Sequence, residues 1–482
     1  MTDAEYMKRA LKLAEKGRGR TRPNPMVGAV IVKDGKIIGE GFHERFGGPH
    51  AERNALAACV GSPKGSTIYV TLEPCCHYGK TPPCTDALIE AGIRRVVVGC
   101  LDPNPLVAGR GAAILRQKGI QAEVVEGTLR EECERLNEVF FHYIRTGRPF
   151  VVLKYAMTMD GKIATYTGES KWITGEAARR RVHEDRGRFA AIMAGVGTVL
   201  ADDPLLTCRI PGGTNPLRII CDTTLRTPLD ASVVTTAARD ADGAQSAGEE
   251  AAKEVGKAGG EAAEEVGKAG EEAAEEVGKA GEEGADGSWE KAQGDGGDGG
   301  DRAETLLVTY CQDKEKRRLF EEAGCQVLVL PQRANGSGGQ LAFGSLPDGD
   351  GPPGTPGDPG DELAPEGSRH GSGPQERPGN SGGKGGIDLM ELMVLLGERG
   401  VDSVLLEGGG ELNWSALESG IVSKVQAYVA PKIFGGARAK TPVAGPGAQK
   451  PAQGFRLAHS TVTKLGEDFL IESEVISCLQ ES

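Results

Sequence analysis

Apolar residues at Tyr6, Met7, Ala10, Leu11 and Ala14, with Lys8, Arg9, Lys12 and Glu15 between them, fall on one face of a helix. Val27–Lys33 and Lys36–Gly41 read as two strands, and Asp34-Gly35 between them is a strong hairpin signal. A helix is predicted from His50 through Ala58, a strand at Ser66–Thr71, a helix at Cys84–Ala91 and a buried strand at Arg94–Gly99. The turn Asp102-Pro103-Asn104-Pro105 lies just past that strand. A helix at Gly111–Lys118, a strand at Gln121–Val125 and a single helix at Leu129–Arg145 complete the unit. Strands alternating with helices predict an α/β layered sheet, with sites outside the carboxyl ends of strands, where Cys75 and Asp102 fall. Thr146-Gly147-Arg148-Pro149 is a short linker, and Phe150–Met157 begins a second sheet. The expected domains are residues 1–146 and 149–482.

Two stretches break this pattern. From Glu249 to Gly281 an eleven-residue unit occurs three times, each ending in Val-Gly-Lys-Ala-Gly. Each unit offers one valine and a few alanines against about two glycines, which cost a helix about 1 kcal/mol each. That apolar surface does not offset the entropy of ordering, so frayed helix or coil is expected. Asn335–Gly386 is dominated by Gly, Pro, Ser and Asp and reads as a disordered loop. The insertions are placed at about 237–300 and 335–386, looping out of the second domain at little closure cost.

The insertions also explain the charge. Residues 237–300 carry −12 and residues 333–386 carry −3 of a chain net of −13, so the remainder is near +2. A neutral body with 5% aromatic residues lacks the basic, aromatic-lined field of a nucleic-acid binder. No apolar run approaches the roughly 18 residues of a membrane span. The first helix is too evenly charged for a targeting segment, and eleven cysteines without a spaced framework indicate a reducing compartment, the cytoplasm.

The candidate chemistry is concentrated between His50 and Cys84. One imidazole and two thiols make a three-ligand zinc site with the fourth position open, the catalytic arrangement. His50-Ala51-Glu52 puts a carboxylate two residues from the imidazole. In a helix interior these positions do not face each other, so both serve one site only from the first turn. Gly47-Gly48-Pro49 supplies that start, and Pro82-Pro83 likewise opens a helix at Cys84. Positive helix N-termini suit thiolates. The signature H-x-E followed by P-C-x-x-C marks zinc-dependent nucleobase deaminases. Here the cysteines are spaced C-x8-C, and Cys76 and His77 leave open a structural four-ligand site.

The longer form, Thr71-Leu72-Glu73-Pro74-Cys75 through Thr81-Pro82-Pro83-Cys84, resembles the bifunctional riboflavin-biosynthesis deaminase–reductase family. Met157-Thr158-Met159-Asp160-Gly161-Lys162, Gly168-Glu169-Ser170-Lys171-Trp172, Gly197-Thr198-Val199-Leu200-Ala201-Asp202-Asp203-Pro204 and Leu405-Leu406-Glu407-Gly408-Gly409-Gly410 resemble its reductase half. The resemblance covers about 1–236, 303–331 and 387–480. It implies a cytidine-deaminase-like layered domain followed by a dihydrofolate-reductase-like domain carrying the disordered insertions.

It also implies Zn2+ on His50, Cys75 and Cys84, with Glu52 as proton carrier. Around a diaminopyrimidine bearing a phosphoribosylamino group stand Asn24, Lys80, Asp102 and Asn104, with Lys80 suited to the phosphate. The second reaction would reduce the ribosyl group to ribityl with NADPH. Gly408-Gly409-Gly410, between a strand and the helix Leu412–Ser419, can present amides to a diphosphate. The resemblance places Ala156, Trp172, Thr198, Asp202, Thr223 and Gly409 at the cofactor. It places Lys154, Ser170, Arg186, Leu206, Arg209 and Glu407 at the substrate, with the two arginines suited to a phosphate. The implied partners are small phosphoribosyl-pyrimidines, with neither nucleic acid nor membrane, and a homo-oligomer is compatible. The rival readings are a nucleic-acid editing deaminase fused to another module, and a scaffold whose acidic repeats do the work.

Overall fold

The computed structural model describes residues 1–78, 82–104, 107–238, 302–331 and 386–476. Lys80, the eleven-residue repeats and the Gly/Pro-rich stretch lie outside the described residues.

The first half runs α1 (Asp3–Ala14), β1 (Gly28–Lys33), β2 (Lys36–Phe42), α2 (Ala51–Ala57), β3 (Thr67–Val70), α3 (Cys84–Glu90), β4 (Arg95–Val98), α4 (Arg110–Gln117), β5 (Gln121–Val124), α5 (Thr128–Leu136) and α6 (Glu138–Thr146). A capping box of Thr2 and Glu5 opens α1, which buries Tyr6, Met7, Ala10, Leu13 and Ala14 on the sheet. The sheet order is β2-β1-β3-β4-β5. β1 is antiparallel to both neighbours and β3, β4 and β5 are parallel. Ile31, Val70, Val96 and Val98 point into one layer with α2, α3 and α4, and Val30, Tyr69 and Val97 into the other with α1. Close packing sets the site's position: a Cβ on Gly41 of β2 would lie 2.3 Å from the Ala55 nitrogen, so glycine lets α2 lie against the strand.

The single helix expected at Leu129–Arg145 is two. The break is at Asn137, which is buried with φ −115° and ψ 29°. Its side chain accepts from the Met26 nitrogen at 2.8 Å and donates to the Met26 carbonyl at 2.9 Å. Two bonds to a remote main chain hold the asparagine out of helical geometry.

The second half runs β6 (Phe150–Thr158), α7 (Glu176–Arg186), β7 (Ala191–Gly195), α8 (Val196–Asp202), β8 (Leu217–Cys221), α9 (Ser232–Thr235), β9 (Thr305–Thr309), α10 (Lys314–Glu322), β10 (Gln326–Val329), α11 (Leu389–Glu398), β11 (Ser403–Leu406), α12 (Gly410–Glu418), β12 (Val422–Ala430), β13 (Arg456–Leu465) and β14 (Asp468–Ile476). Its sheet order is β10-β9-β8-β7-β11-β6-β12-β14-β13. Pairings are parallel from β10 to β12 and antiparallel from β12 to β13. The chain moves outward from β7 to β10 and then returns to insert β11 between β6 and β7. That reversal is where doubly wound sheets hold ligands.

The halves pack directly. Lys424 reaches both Glu138 oxygens at 2.6 Å, and Tyr143 Oη donates to the Gly397 carbonyl at 2.9 Å. A Cβ on Gly397 would lie 1.9 Å from the Gly147 carbonyl oxygen, so α11 can meet the linker only as glycine.

Candidate functional site

His50 is the N-cap residue of α2, with extended backbone, and Glu52 is the second residue of the helix. Both side chains therefore leave the helix at its start, as the i, i+2 spacing requires. Pro83 caps α3 and makes Cys84 its first residue. Cys75 follows the carboxyl end of β3, and the Thr85 nitrogen donates to its carbonyl at 3.2 Å. Cys75 Sγ lies 3.5 Å and Cys84 Sγ 3.3 Å from His50 Nδ1. One ligand atom from each of the three residues lies within 4.8 Å of the others. No other such metal-ligating group occurs among the described residues, and neither Cys76 nor His77 joins this one.

The electrostatics are those of two thiols sharing a proton. A hydrogen bond from Cys84 brings Cys75 down to about 4 against its burial, with the Cys84 backbone nitrogen adding a donor at 3.3 Å. The same contact, then burial and Glu52, push Cys84 up. Burial, and after it the negative Cys75, raise Glu52 to about 7. The donor set fits zinc. Bonds of about 2.0 Å to nitrogen and 2.3 Å to sulfur bring ligand atoms within roughly 4.6 Å of each other. A divalent cation replaces the shared proton and lets both sulfurs be thiolates.

Two further groups of expected residues gather here. His43 lies edge-on to His50, with ring centroids 5.5 Å apart. Its Nδ1 faces the Pro49 carbonyl at 3.0 Å and its Nε2 faces Asn24 Nδ2 at 3.2 Å. A proton on Nδ1 satisfies both, so His43 orients Asn24 as a neutral imidazole, in line with a pKa lowered by burial. Asp102 lies past β4 and accepts from the Asn104 nitrogen at 2.8 Å. Its loop is held by Glu73, a buried carboxylate that accepts from the nitrogens of Asp102, Gly109 and Ala112 at 3.3, 2.8 and 3.0 Å. Burial raises Asp102 to about 6. Glu73 and His43 were not among the expected site residues. Their partners lie 6 to 39 positions away in other elements and loops, and only the Glu73-Pro74-Cys75 adjacency could have flagged one of them.

In the second half Lys154, Arg186 and Glu407 meet at the carboxyl ends of β6 and β11. Leu153 pairs with Leu406, which sets Lys154 beside Glu407 just past β11. Lys154 Nζ is 3.3 Å from Glu407 Oε2, and Arg186, the last residue of α7, donates to both carboxylate oxygens at 2.8 and 2.9 Å. Burial would raise the Glu407 carboxyl, but Arg186 and Lys154 outweigh it and hold it well below the usual range. Arg186 thus reaches both Glu407 and the Thr207 carbonyl.

Ser170 donates to Asp202 at 2.9 Å. Thr223 follows β8, and its carbonyl accepts from Tyr310. Ala156 stands on β6 opposite Tyr428 of β12. Trp172 is exposed, under the Arg179 guanidinium at 4.8 Å. The Leu206 side chain is buried with Val199 and Leu225, so only its main chain can meet a ligand. The glycine turn is closely packed. A Cβ on Gly408 would lie 2.7 Å from Leu412, and one on Gly410 would lie 3.0 Å from the Thr441 oxygen. Gly409 faces Thr198, whose Oγ1 would be 3.6 Å from an added Cβ. The turn and the start of the nine-residue α12 fit a dinucleotide's diphosphate.

Comparison with known proteins covers both halves. Residues 1–100 match the cytidine and deoxycytidylate deaminase zinc-binding region, and residues 149–248 and 376–471 match the RibD C-terminal domain. The riboflavin biosynthesis protein RibD of Actinobacillus pleuropneumoniae is 43% identical over 479 residues, 99% of this chain and 97% of that protein. Among solved structures, Acinetobacter baumannii RibD, form 1, has a TM-score of 0.66 and 28% identity over 98% of this chain and 99% of its own. A Thermotoga maritima diaminohydroxyphosphoribosylaminopyrimidine deaminase/5-amino-6-(5-phosphoribosylamino)uracil reductase has a TM-score of 0.61 and 30% identity, with the same coverage.

Proposed function

Because the chain belongs to the RibD family of bifunctional riboflavin-biosynthesis proteins, we propose how its own residues divide the two reactions. The enzyme is a zinc-dependent deaminase joined to an NADPH-dependent reductase. The first activity hydrolyses the amine of 2,5-diamino-6-(phosphoribosylamino)pyrimidinone. The second reduces the ribosyl group of 5-amino-6-(5-phosphoribosylamino)uracil to ribityl. The observation that carries the division is that each half gathers a complete set of groups. One holds His50, Cys75, Cys84 and Glu52, and the other holds Lys154, Glu407 and Arg186. We assign residues 1–146 to deamination and 149–482 to reduction.

His50, Cys75 and Cys84 hold zinc, which when bound acidifies a water toward neutral pH. Glu52 would carry the two protons of the attacking water in turn, the first to the ring nitrogen and the second to the departing amine. Asn24, oriented by His43, and the Asp102–Asn104 turn, held by Glu73, bind the pyrimidine. We assign Lys80 to its phosphate.

In the second half NADPH, when bound, supplies the hydride. Ala156, Trp172, Thr198, Asp202, Thr223 and the Gly409 turn hold the dinucleotide. Ser170, the main chain at Leu206, and Arg209 hold the substrate, with Arg209 on the phosphate. We assign Lys154 to the neighbourhood of the reacting carbon. Glu407 fixes it, and Arg186 anchors Glu407. We place the protein in the cytoplasm, since the cysteines among the described residues are all free and no described helix is long and apolar enough to cross a membrane. Its partners are small phosphorylated pyrimidines, not nucleic acid. A second copy could pair through β13, an edge strand exposed on both faces.

The test separates the sites. Glu52→Gln is expected to abolish ammonia release and leave NADPH oxidation intact when the deaminated intermediate is supplied. Arg209→Ala is expected to spare deamination and lower reductase kcat/KM through KM. A lost charge-assisted phosphate contact is worth roughly 1.5–3 kcal/mol, or about 10- to 150-fold. Loss of reduction in Glu52→Gln would make the two sites one coupled unit and overturn the division.

A further inference from the structure

His183 has no place in either reaction as described, yet it is buried on α7, 7% exposed, one turn before Arg186. Its Nδ1 lies 3.2 Å from the Thr207 carbonyl and 3.3 Å from the Arg209 nitrogen, and its Nε2 lies 3.4 Å from Arg209 Nη2. Two neutral tautomers are available. With the proton on Nε2, Nδ1 accepts from the Arg209 backbone nitrogen, but an N–H faces the guanidinium. With the proton on Nδ1, the ring donates to Thr207 and turns a lone pair to the cation, and a contact to a charged donor is the stronger kind. An imidazolium would set two cations against each other. Burial, with Arg186 and Arg209, accordingly lowers His183 to about 4.

The segment under this ring is held from several sides. The Thr207 carbonyl also accepts from Arg186 Nη1 at 3.3 Å. Cys208 Sγ donates to the His183 carbonyl at 3.2 Å, and the Cys208 nitrogen donates to Asn215 Oδ1 at 2.9 Å. Leu206 is anchored in the core with φ at +54°. The backbone at 207–208 is therefore also held by contacts that do not involve the imidazole, and what Nε2 adds is a contact to the arginine head group.

We propose that His183 is a positioning residue for the reduction: its Nε2 holds the Arg209 guanidinium in the orientation that meets the substrate phosphate. This rests on the assignment of Arg209 to that phosphate. His183 then acts through Arg209 and sets the affinity for the phosphorylated sugar rather than the rate of hydride transfer.

The test uses the full-length protein with NADPH, 5-amino-6-(5-phosphoribosylamino)uracil and its dephosphorylated form. His183→Asn keeps a donor for Thr207 and removes the acceptor at Nε2. It is expected to raise KM for the phosphorylated substrate about tenfold, leave kcat within about twofold, and leave kcat/KM for the dephosphorylated substrate unchanged. His183→Gln, whose amide oxygen reaches the Nε2 position, is expected to return KM to within about threefold of wild type. Deamination, measured on the same samples, reports folding. His183→Leu, of similar bulk and unable to accept, is read in the same way if His183→Asn fails to fold. An unchanged KM, or equal loss on both substrates, overturns the proposal. Arg209→Ala separates the two levels. If it fails to discriminate the substrates, the phosphate assignment falls and the proposal with it. If it discriminates and His183→Asn does not, only the role of His183 falls.

Discussion

A thiol and a thiolate 3.3 and 3.5 Å from one imidazole nitrogen make a cluster whose protonation state depends on a cation. Cys76 is next in sequence to Cys75, yet burial raises its pKa and it lies outside the cluster. Cys84→Ser is therefore expected to lose both zinc and ammonia release, while Cys76→Ser keeps most of both. Metal content by atomic emission, alongside the ammonia assay, checks this; equal losses would mean that the ligating thiols were wrongly chosen. His50 and Cys84 were legible in the sequence because each sits at a helix start, announced by Gly47-Gly48-Pro49 or Pro82-Pro83, and Cys75 because it lies past the carboxyl end of a strand. Glu73, His43 and His183 were not. Each is a common residue type in an unremarkable position, and acquires its role from a loop or side chain distant along the chain. Spacing rules see neighbours within one element and are blind to these.

At the scale of elements, the strands and helices of the first half were read within a few residues, because a buried face leaves a period in the sequence. The break at Asn137 was missed because its cause is the Met26 main chain 111 residues away. The insertion of β11 between β6 and β7 was not legible either, since strand order leaves no local period. Helix α7 shows what such an element carries. It presents His183 and Arg186 on one face, and also Asp185, which takes Arg181, Arg188 and Tyr428. Its histidine gives the reductase half an acid sensitivity of definite sign. The folded pKa of about 4 lies below the ordinary 6.5, so as pH falls the unfolded chain takes up the proton first. Stability from this group is complete above about pH 6.5 and is lost between there and about pH 4, by roughly 3 kcal/mol. Glu407, held below the usual carboxylate range, acts in the same direction at lower pH. His183→Gln is expected to flatten the fall in denaturant midpoint from pH 6.5 to 4.5 relative to wild type. Parallel pH profiles for the two proteins would show that His183 titrates alike in the folded and unfolded states.

For the whole molecule, the question is how one sheet tolerates two long insertions. The described stems answer it. Ala237 and Ala303 pair as an isolated parallel bridge, with Ala238 donating to the Ala303 carbonyl at 3.0 Å and Ala303 donating to that of Thr236 at 3.2 Å. Arg218, fully buried in β8, ties both stems from one guanidinium, donating to the carbonyls of Thr236 and Ala303 at 3.0 and 2.8 Å. At the second site Leu330, just before the excursion, and Leu389, just after it, lie in one buried cluster. At the first site the chain leaves and returns at nearly one point, and closure entropy grows only by about 0.6 kcal/mol per doubling of loop length. The repeats and the Gly/Pro-rich stretch are also too poor in apolar residues to contribute a core. Replacing residues 240–300 and 335–385 with short Gly/Ser links is therefore expected to leave both activities, and to shift Tm by no more than about 2 °C. A fall in Tm of roughly 8 °C or more, or a reductase rate reduced while ammonia release holds, would show that these segments pack on the second domain.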